Sequence, residues 1–117
     1  MNIVRIAIFV LAAWTISGAQ AQPNSVELGI QAAKRGDYAA ARGIWVPLAE
    51  RGNADAQNNL GVMYERGWGT PRNLPMAVEY YKKAADQGNA SAQNNLGVAY
   101  DRGLGVAKDT TQAAQWY

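Results

Sequence analysis

Apolar and polar residues follow a helical spacing through the second half of the chain, and the same pattern occurs twice. Asn53–Tyr64 reads NADAQNNLGVMY, and 36 residues later Asn89–Tyr100 reads NASAQNNLGVAY. A period of this length is typical of solenoids, in which each unit is a helical hairpin that buries its apolar face against the next unit. The pattern therefore predicts an all-α solenoid of stacked antiparallel helical hairpins.

The first helix of each copy has an apolar face and a mixed polar face. A helical wheel centred on Leu60 places Ala56 and Met63 beside it, so these residues are predicted to be core. The opposite side carries residues that recur with the period: Asn58, Val62, Glu65, Asn94, Val98 and Asp101. In a stack of hairpins this side becomes a continuous concave strip. We predict that the strip binds an extended protein or peptide segment, through amides beside apolar side chains.

Asn59 and Asn95 belong to the same candidate binding surface, and two alternatives are open for the asparagines. Their amides either bind a partner or hydrogen-bond to neighbouring loop backbone, since buried polar groups are usually satisfied. Trp68, between Gly67 and Gly69, is a further candidate contact. We expect its indole to fold over the end of the hairpin rather than to face a partner.

Glycines interrupt the first helix of each copy at Gly61 and Gly97. A glycine inside a helix costs about 0.5–1 kcal/mol relative to alanine, and a closer approach of the partner helix offsets that cost. We expect a tyrosine of the partner helix to fill the space. The tyrosines that repeat with the period are predicted to be core: Tyr64, Tyr81, Tyr100 and Tyr117.

Cap residues predict where the helices of the repeats begin and end. Glycines end two helices at Gly52 and Gly88, and asparagine follows each of them directly. N-caps are predicted at Asn53, Asn73, Asn89 and Asp109.

Two shorter helices are predicted before the repeats, at 25–35 and 38–50. Asn24 and Glu27 have the spacing of a capping box for the first of them. The second contains Pro47, whose ring meets the carbonyl of a glycine four positions earlier, so we expect a kinked but continuous helix. A break just before the proline is the alternative.

These boundaries divide the chain into four parts. Residues 1–21 are a predicted signal peptide, residues 22–52 are a linker and a shortened hairpin, and residues 53–88 and 89–117 are the two repeats. The second repeat stops before the closing Ala-Ala-x-x-Gly of the first. Its last helix has no C-terminal cap and is short, so we expect fraying there, or end-to-end pairing with a second chain. A fragment of a longer repeat protein is the third interpretation.

The residues from Ala56 to Gly69 follow the pattern Ala-x-x-x-Leu-Gly-x-x-Tyr-x-x-Gly-x-Gly, and Ala77-x-x-x-Tyr81-x-x-Ala-Ala-x-x-Gly88 follows. This pattern resembles the Sel-1-like repeat (SLR), a relative of the tetratricopeptide repeat. The resemblance implies a right-handed superhelix that acts as a protein-binding scaffold, in envelope signalling or host contact. Disulfide-rich relatives imply an alternative, a cell-wall or β-lactam-related enzyme or a ligand-binding remnant. Because this chain has no cysteine, the function of these disulfide-rich relatives transfers poorly to it.

The N-terminal segment differs in character from the repeats. Arg5 precedes an apolar run at 6–16, and small residues follow as far as Ala19-Gln20-Ala21. The run is too short to cross a membrane as a helix, and its small residues suit a signal peptidase. We predict cleavage after Ala21, which leaves a periplasmic or secreted protein with no stable membrane anchor. An uncleaved anchor or a buried first helix is the alternative.

Composition and spacing argue against several function classes. The 117 residues include no cysteine and no histidine, and the net charge is +2 with mixed signs, so we predict no binding to nucleic acid. Neither Ser25 nor Ser91 has a lysine three positions later, as serine acyl transfer of the Ser-x-x-Lys kind requires. The glycine loops lack the lysine of a phosphate loop. We therefore expect no enzyme activity, no cofactor and no metal site.

Overall fold

The computed structural model describes residues 25–117, which form six α-helices and no strand. The helices are α1 (Ser25–Lys34), α2 (Tyr38–Glu50), α3 (Ala54–Arg66), α4 (Leu74–Asp86), α5 (Ala90–Arg102) and α6 (Thr110–Trp116). The main contacts join helices that are consecutive in the chain, so the helices form three stacked hairpins. The predicted all-α solenoid is confirmed. The predicted signal peptide and the cap at Asn24 lie outside the described residues.

The predicted caps are confirmed at the N-terminal ends of four helices. The Asn53 side chain accepts a hydrogen bond from the backbone N–H of Ala56 at 2.9 Å, and Asn89 accepts one from Ala92 at the same distance. Asn73 caps α4 and Asp109 caps α6 in the same way. Each cap satisfies a backbone donor that the helix itself leaves free.

The hairpin of α1 and α2 follows the predicted boundaries closely. Helix α1 ends at Lys34, one residue before the predicted end, and α2 spans the predicted residues. Pro47 lies inside α2, which continues through it without a break. The aspartate at 37 caps α2 by accepting from the backbone N–H of Ala40 at 3.1 Å.

Each hairpin is held by a glycine of its first helix against an aromatic ring that lies in its second helix or directly follows it. A Cβ at Gly61 would lie 2.5 Å from Cε1 of Tyr81, so the ring occupies the space that a side chain would take. Tyr81 is only 1% exposed. Gly97 faces the ring of Tyr117 in the same way, with 2.8 Å to Cε1. The predicted close approach of glycine and tyrosine is confirmed.

The first hairpin contains the same contact, which the alignment of the two repeats did not reveal. Gly29 of α1 faces the indole of Trp45 so closely that a Cβ would overlap it. Leu28-Gly29-Ile30 therefore corresponds to the Leu-Gly-Val of the two repeats. The offset is 32 residues rather than 36, because the turn between α1 and α2 is four residues shorter than the later hairpin loops. A fixed period of 36 hides this third copy.

Amide side chains join one hairpin to the next. Gln57, which is 5% exposed, donates through Nε2 to the carbonyl oxygen of Ala49 at 3.1 Å. Its own Oε1 accepts from Nε2 of Gln87 at 2.8 Å. Gln93 repeats the first of these bonds one repeat later, to the carbonyl of Ala85 at 3.3 Å. The bonds from Gln57 and Gln93 to the preceding hairpin fix the register between hairpins, while Gln87 holds Gln57 from within its own hairpin.

The prediction that all four repeating tyrosines are core is wrong for Tyr117. Its ring lies on Gly97, yet 64% of the residue is exposed. In the described chain no helix follows α6 to cover the other side of the ring, whereas Tyr81 is covered by α5. Tyr64 and Tyr100 are half-buried, at the edge of the core.

We expect Gly61→Ala to lower the free energy of unfolding by about 1–3 kcal/mol, because the new methyl group displaces the buried ring of Tyr81. The matched control is Gly43→Ala inside α2, where nothing lies within 4 Å of an added Cβ. There alanine should stabilise the helix by about 0.5–1 kcal/mol. Urea unfolding of the three proteins measures both effects. Equal stabilisation by the two substitutions would contradict the packing role of Gly61.

Candidate functional site

Two grooves follow the strip formed by the first helices of the hairpins. The N-terminal groove, between the first two hairpins, has a volume of about 290 Å³. It is lined by Ile30, Ala33, Lys34, Tyr38, Trp45, Asn59, Val62, Met63 and Trp68. The C-terminal groove has a volume of about 120 Å³ and is lined by Glu65, Leu74, Ala77, Val78, Tyr81, Asn95, Val98, Ala99, Arg102 and Leu104.

The two grooves are the same feature, repeated once. Asn59 and Val62 line the first, and Asn95 and Val98 line the second from the equivalent positions. Trp68 likewise corresponds to Leu104. The walls therefore recur with the sequence period of 36, as a surface built from repeats must.

The floor of the N-terminal groove is apolar and firmly held. Trp45 and Met63 are 4% and 1% exposed, and both belong to the core of the first two hairpins. The indole of Trp45 donates through Nε1 to the carbonyl oxygen of Val26 at 3.1 Å. This bond orients the ring across the base of the groove, since a buried indole N–H needs a partner.

One wall of the N-terminal groove is a pair of stacked rings. Trp68 lies on Tyr38 with 5.2 Å between ring centroids and 11° between planes. The guanidinium carbon of Arg66 lies 5.0 Å from the centroid of the Trp68 ring. Trp68 thus packs against the preceding hairpin, and its half-buried indole also lines the groove.

The C-terminal groove is smaller, and its acid is already engaged. The hydroxyl of Tyr81 donates to Oε1 of Glu65 at 2.9 Å. Burial, and then the adjacent negative charge and hydrogen bond of Glu65, raise the pKa of the Tyr81 hydroxyl well above its usual range. Glu65 therefore lines the groove as predicted, but part of its hydrogen-bonding capacity is used inside the protein.

Asn58 does not belong to the exposed strip on which the helical wheel places it. The residue is only 9% exposed, and its Oδ1 accepts from Nδ2 of Asn95 on α5 at 3.0 Å. The wheel describes one helix against its hairpin partner. It does not include the first helix of the next hairpin, which covers Asn58 here. Asn95 therefore binds Asn58 rather than the loop backbone that the second alternative proposed for it.

Asn59 has no such pairing, although it occupies the position of Asn95 one repeat earlier. The residue that corresponds to Asn58 in the first hairpin is Val26, whose side chain offers no amide. Among residues 25–117 the half-buried side chain of Asn59 makes no hydrogen bond. Its amide therefore faces the N-terminal groove with its donors and acceptor free.

Asn94 and Asp101 are exposed and line neither groove, so the structure does not bring them to the predicted surface. Sequence reasoning also missed Ile30, Lys34 and Tyr38, which belong to the first hairpin. The Leu28-Gly29 pair was the available signal for these residues. A search with a fixed period of 36 does not align it.

Other site types find no support in the part of the chain that the structure describes. Among residues 25–117, no group of three carboxylates is placed to hold a metal ion. Likewise, none of the helices between residues 25 and 117 has the length and apolar character needed to cross a membrane.

Comparison with known proteins identifies the repeat. The sequence matches the Sel1 repeat family over residues 54–89 and 90–117. Proteins of this family generally act as scaffolds for protein–protein interaction and are typically not enzymes. DAP3-binding cell death enhancer 1 is 47% identical in Rattus norvegicus and 46% identical in Mus musculus, over 51 residues in each case. These residues are 44% of this chain and about a tenth of the length of either relative.

Two solved structures share the fold. A Sel1 repeat protein from Oxalobacter formigenes is 37% identical, with a TM-score of 0.75 over 79% of this chain and 38% of that protein. A protective antigen present in uropathogenic Escherichia coli strains, displaying an SLR fold, is 35% identical with a TM-score of 0.75. The match covers 80% of this chain and 21% of that antigen.

The raised pKa of Tyr81 predicts a loss of stability in alkali. In the unfolded chain the hydroxyl ionises near pH 10, whereas the folded protein holds the proton to higher pH. The hydroxyl of Tyr81 therefore makes its full contribution to the free energy of unfolding below about pH 10. Above that pH this contribution falls by up to about 1.4 kcal/mol per pH unit. The Tyr81→Phe variant has no hydroxyl at this position and therefore lacks this pH-dependent contribution. The Phe variant should be less stable at pH 7, by about 0.5–1.5 kcal/mol for the lost hydrogen bond, and the gap should narrow above pH 10.

Urea unfolding of both proteins at a series of pH values from neutral to strongly alkaline measures this gap. All other side chains are the same in the two proteins, so their effects cancel in the difference. A gap that stays constant through this range would show that Tyr81 ionises normally in the folded protein.

Proposed function

Since this chain belongs to the Sel1 repeat family, we propose that it is a non-enzymatic scaffold that binds an extended segment of a partner protein along its concave strip. The N-terminal groove is the main contact. The observation that carries this proposal is the juxtaposition of a firmly held apolar floor with the unpaired amide of Asn59.

An extended segment needs both of these features. Its backbone carries donors and acceptors that must be satisfied when they leave water, and the Asn59 amide offers one of each. Its side chains gain free energy by leaving water for an apolar surface, and Trp45, Val62 and Met63 supply that surface. The aromatic wall of Tyr38 and Trp68 adds rigid contact area.

The C-terminal groove is a secondary contact in this proposal. It is less than half as large, its amide Asn95 is paired with Asn58, and its acid Glu65 already accepts from Tyr81. A partner segment that leaves the N-terminal groove would reach Val98 and Leu104 next. Because the walls repeat, a partner that carries a second extended segment can occupy both grooves.

We place the scaffold outside the cytoplasm, in the periplasm or the secreted fraction. The support is the apolar run at 6–16 and the small residues that end at Ala21. The role that we propose there is envelope signalling or host contact, and the likeness to a protective antigen of uropathogenic Escherichia coli supports host contact. Detection of the chain in a periplasmic or culture fraction, with a new N-terminus at Gln22, tests this proposal. Retention of the whole chain in the cytoplasm would contradict it.

Selection of random peptides displayed on phage tests the binding proposal. We expect the full chain to enrich peptides whose binding is lost in Val62→Glu, because the carboxylate is placed in the apolar groove. Val46→Glu is the matched control, since Val46 is equally half-buried but lies on α2 away from both grooves. Circular dichroism must show that both variants stay helical. A milder variant, Asn59→Ala, should weaken the same peptides. Peptides that bind all four proteins equally would place the site elsewhere.

End-to-end association is a second proposal, favoured by a separate observation. Two large apolar residues of the described chain are exposed: Leu28 in the first hairpin, at 41%, and Tyr117 in the last, at 64%. Their counterparts Leu60 and Tyr81 are 1% exposed, because a neighbouring hairpin covers them. A second copy stacked on either end would bury these residues as the next repeat does.

Sedimentation velocity over a range of micromolar concentrations measures this association. We expect the weight-average mass to rise with concentration, and Tyr117→Ser together with Leu28→Ser to abolish the rise. A constant monomer mass at all concentrations would rule the association out.

A further inference from the structure

We propose that the N-terminal groove selects segments in which an apolar side chain lies between a basic and an acidic one. This inference rests on the proposed function and adds the chemistry of the partner. It comes from charges that the structure places at opposite ends of one groove, on two first helices, α1 and α3.

The acidic end is a depression of about 320 Å³ that adjoins the apolar floor. Ile30 and Asn59 line both, so the two spaces lie next to each other at these side chains. Glu27 and Asp55 contribute carboxylates to this depression, and none of its lining residues is a lysine or an arginine. Asp55 accepts a hydrogen bond from Nδ2 of Asn89 at 2.8 Å, which fixes the position of its carboxylate. The site is complementary to a basic side chain.

The basic end lies at the other extremity of the same two helices. Helix α1 has Glu27 in its first turn and Lys34 in its last, and α3 has Asp55 in its first turn and Arg66 in its last. Lys34 lines the groove directly, and Arg66 lies over the indole of Trp68 that forms its wall. Because Glu27 and Asp55 line one depression, the two helices run in the same direction and their charges reinforce each other.

The length of the groove matches a five-residue extended segment. From Glu27 to Lys34 the helix rises about 10 Å, and from Asp55 to Arg66 about 16 Å. In an extended chain, residues 1, 3 and 5 of a segment point to one side, and about 13 Å separates the first from the last. A basic, an apolar and an acidic residue at these alternate positions therefore meet the acidic end, the floor and the basic end.

The C-terminal groove has less of this polarity. Helix α5 has no acid in its first turn, where Ser91 replaces the Asp55 of the repeat before it. Beside the start of α5, the depression therefore has the carboxylate of Asp55 on α3 without a second acid from α5. The pair of acids, and with it the stronger preference for a basic residue, belongs to the N-terminal groove.

The test uses three synthetic peptides titrated into the full isotope-labelled chain, with the side-chain amide resonance of Asn59 as the reporter. The first carries Arg-Ser-Leu-Ser-Glu between Gly-Ser ends. In the second, serine replaces the arginine, and in the third, glutamate replaces it. We expect the second to bind about three- to fivefold more weakly than the first, and the third more weakly still, as the loss of one exposed ion pair predicts.

Variants of the protein then test whether the acidic end of the groove causes the preference for a basic residue. Glu27→Lys should reverse the order of the first and third peptides, since Glu27 is exposed and the new charge repels arginine. Asp86→Lys, an equal charge change at an exposed position on α4, should leave the order intact. Equal affinity of the wild type for all three peptides, or an unchanged order in Glu27→Lys, would overturn the inference while leaving peptide binding itself in place. If none of the peptides moves the Asn59 resonance and phage selection also yields no groove-dependent peptide, both proposals fail.

Discussion

The contact between a helical glycine and an aromatic ring of the returning helix determines the rest of this structure. Gly29, Gly61 and Gly97 each leave room for one ring, which lies where a side chain of the glycine position would be. The glycine lowers the intrinsic stability of its helix by about 0.5–1 kcal/mol, and burial of a ring such as that of Tyr81 more than offsets this. The spacing of the two helices in a hairpin follows from this contact.

Hairpin spacing in turn shapes the surface between hairpins. When the first helices of neighbouring hairpins lie side by side, Asn58 and Asn95 come within hydrogen-bonding distance, and Gln57 bridges to the preceding helix. The same arrangement leaves a groove wherever the side chains between two first helices do not meet. In the first pair of hairpins Val26 stands where an amide would complete the pairing, so Asn59 is left facing the groove. Structure and binding surface thus depend on the same repeated positions.

The sequence allowed most of the fold to be predicted, because its signals are local. A cap such as Asn53 acts within one turn of helix, and the glycine contact at Gly61 lies within one hairpin that the duplicated block marks out in the sequence; the structure confirms both. The candidate site was predicted only in part. Val62, Val98 and Asn59 line the grooves, but Asn58 is covered by a helix of the next hairpin. A wheel for one helix contains no information on that neighbour, and a turn shorter by four residues concealed the contribution of the first hairpin.

A crystal structure of the chain with a peptide that it selects would test the central claim most directly. The account predicts an extended peptide in the N-terminal groove, with a backbone group hydrogen-bonded to the Asn59 amide and an apolar side chain on Trp45 and Met63. It also predicts that the glycine contact at Gly29 is unchanged from the free protein, since the groove is formed before binding. A peptide bound on the opposite side of the hairpins, against Arg42 and Val46, would contradict the account.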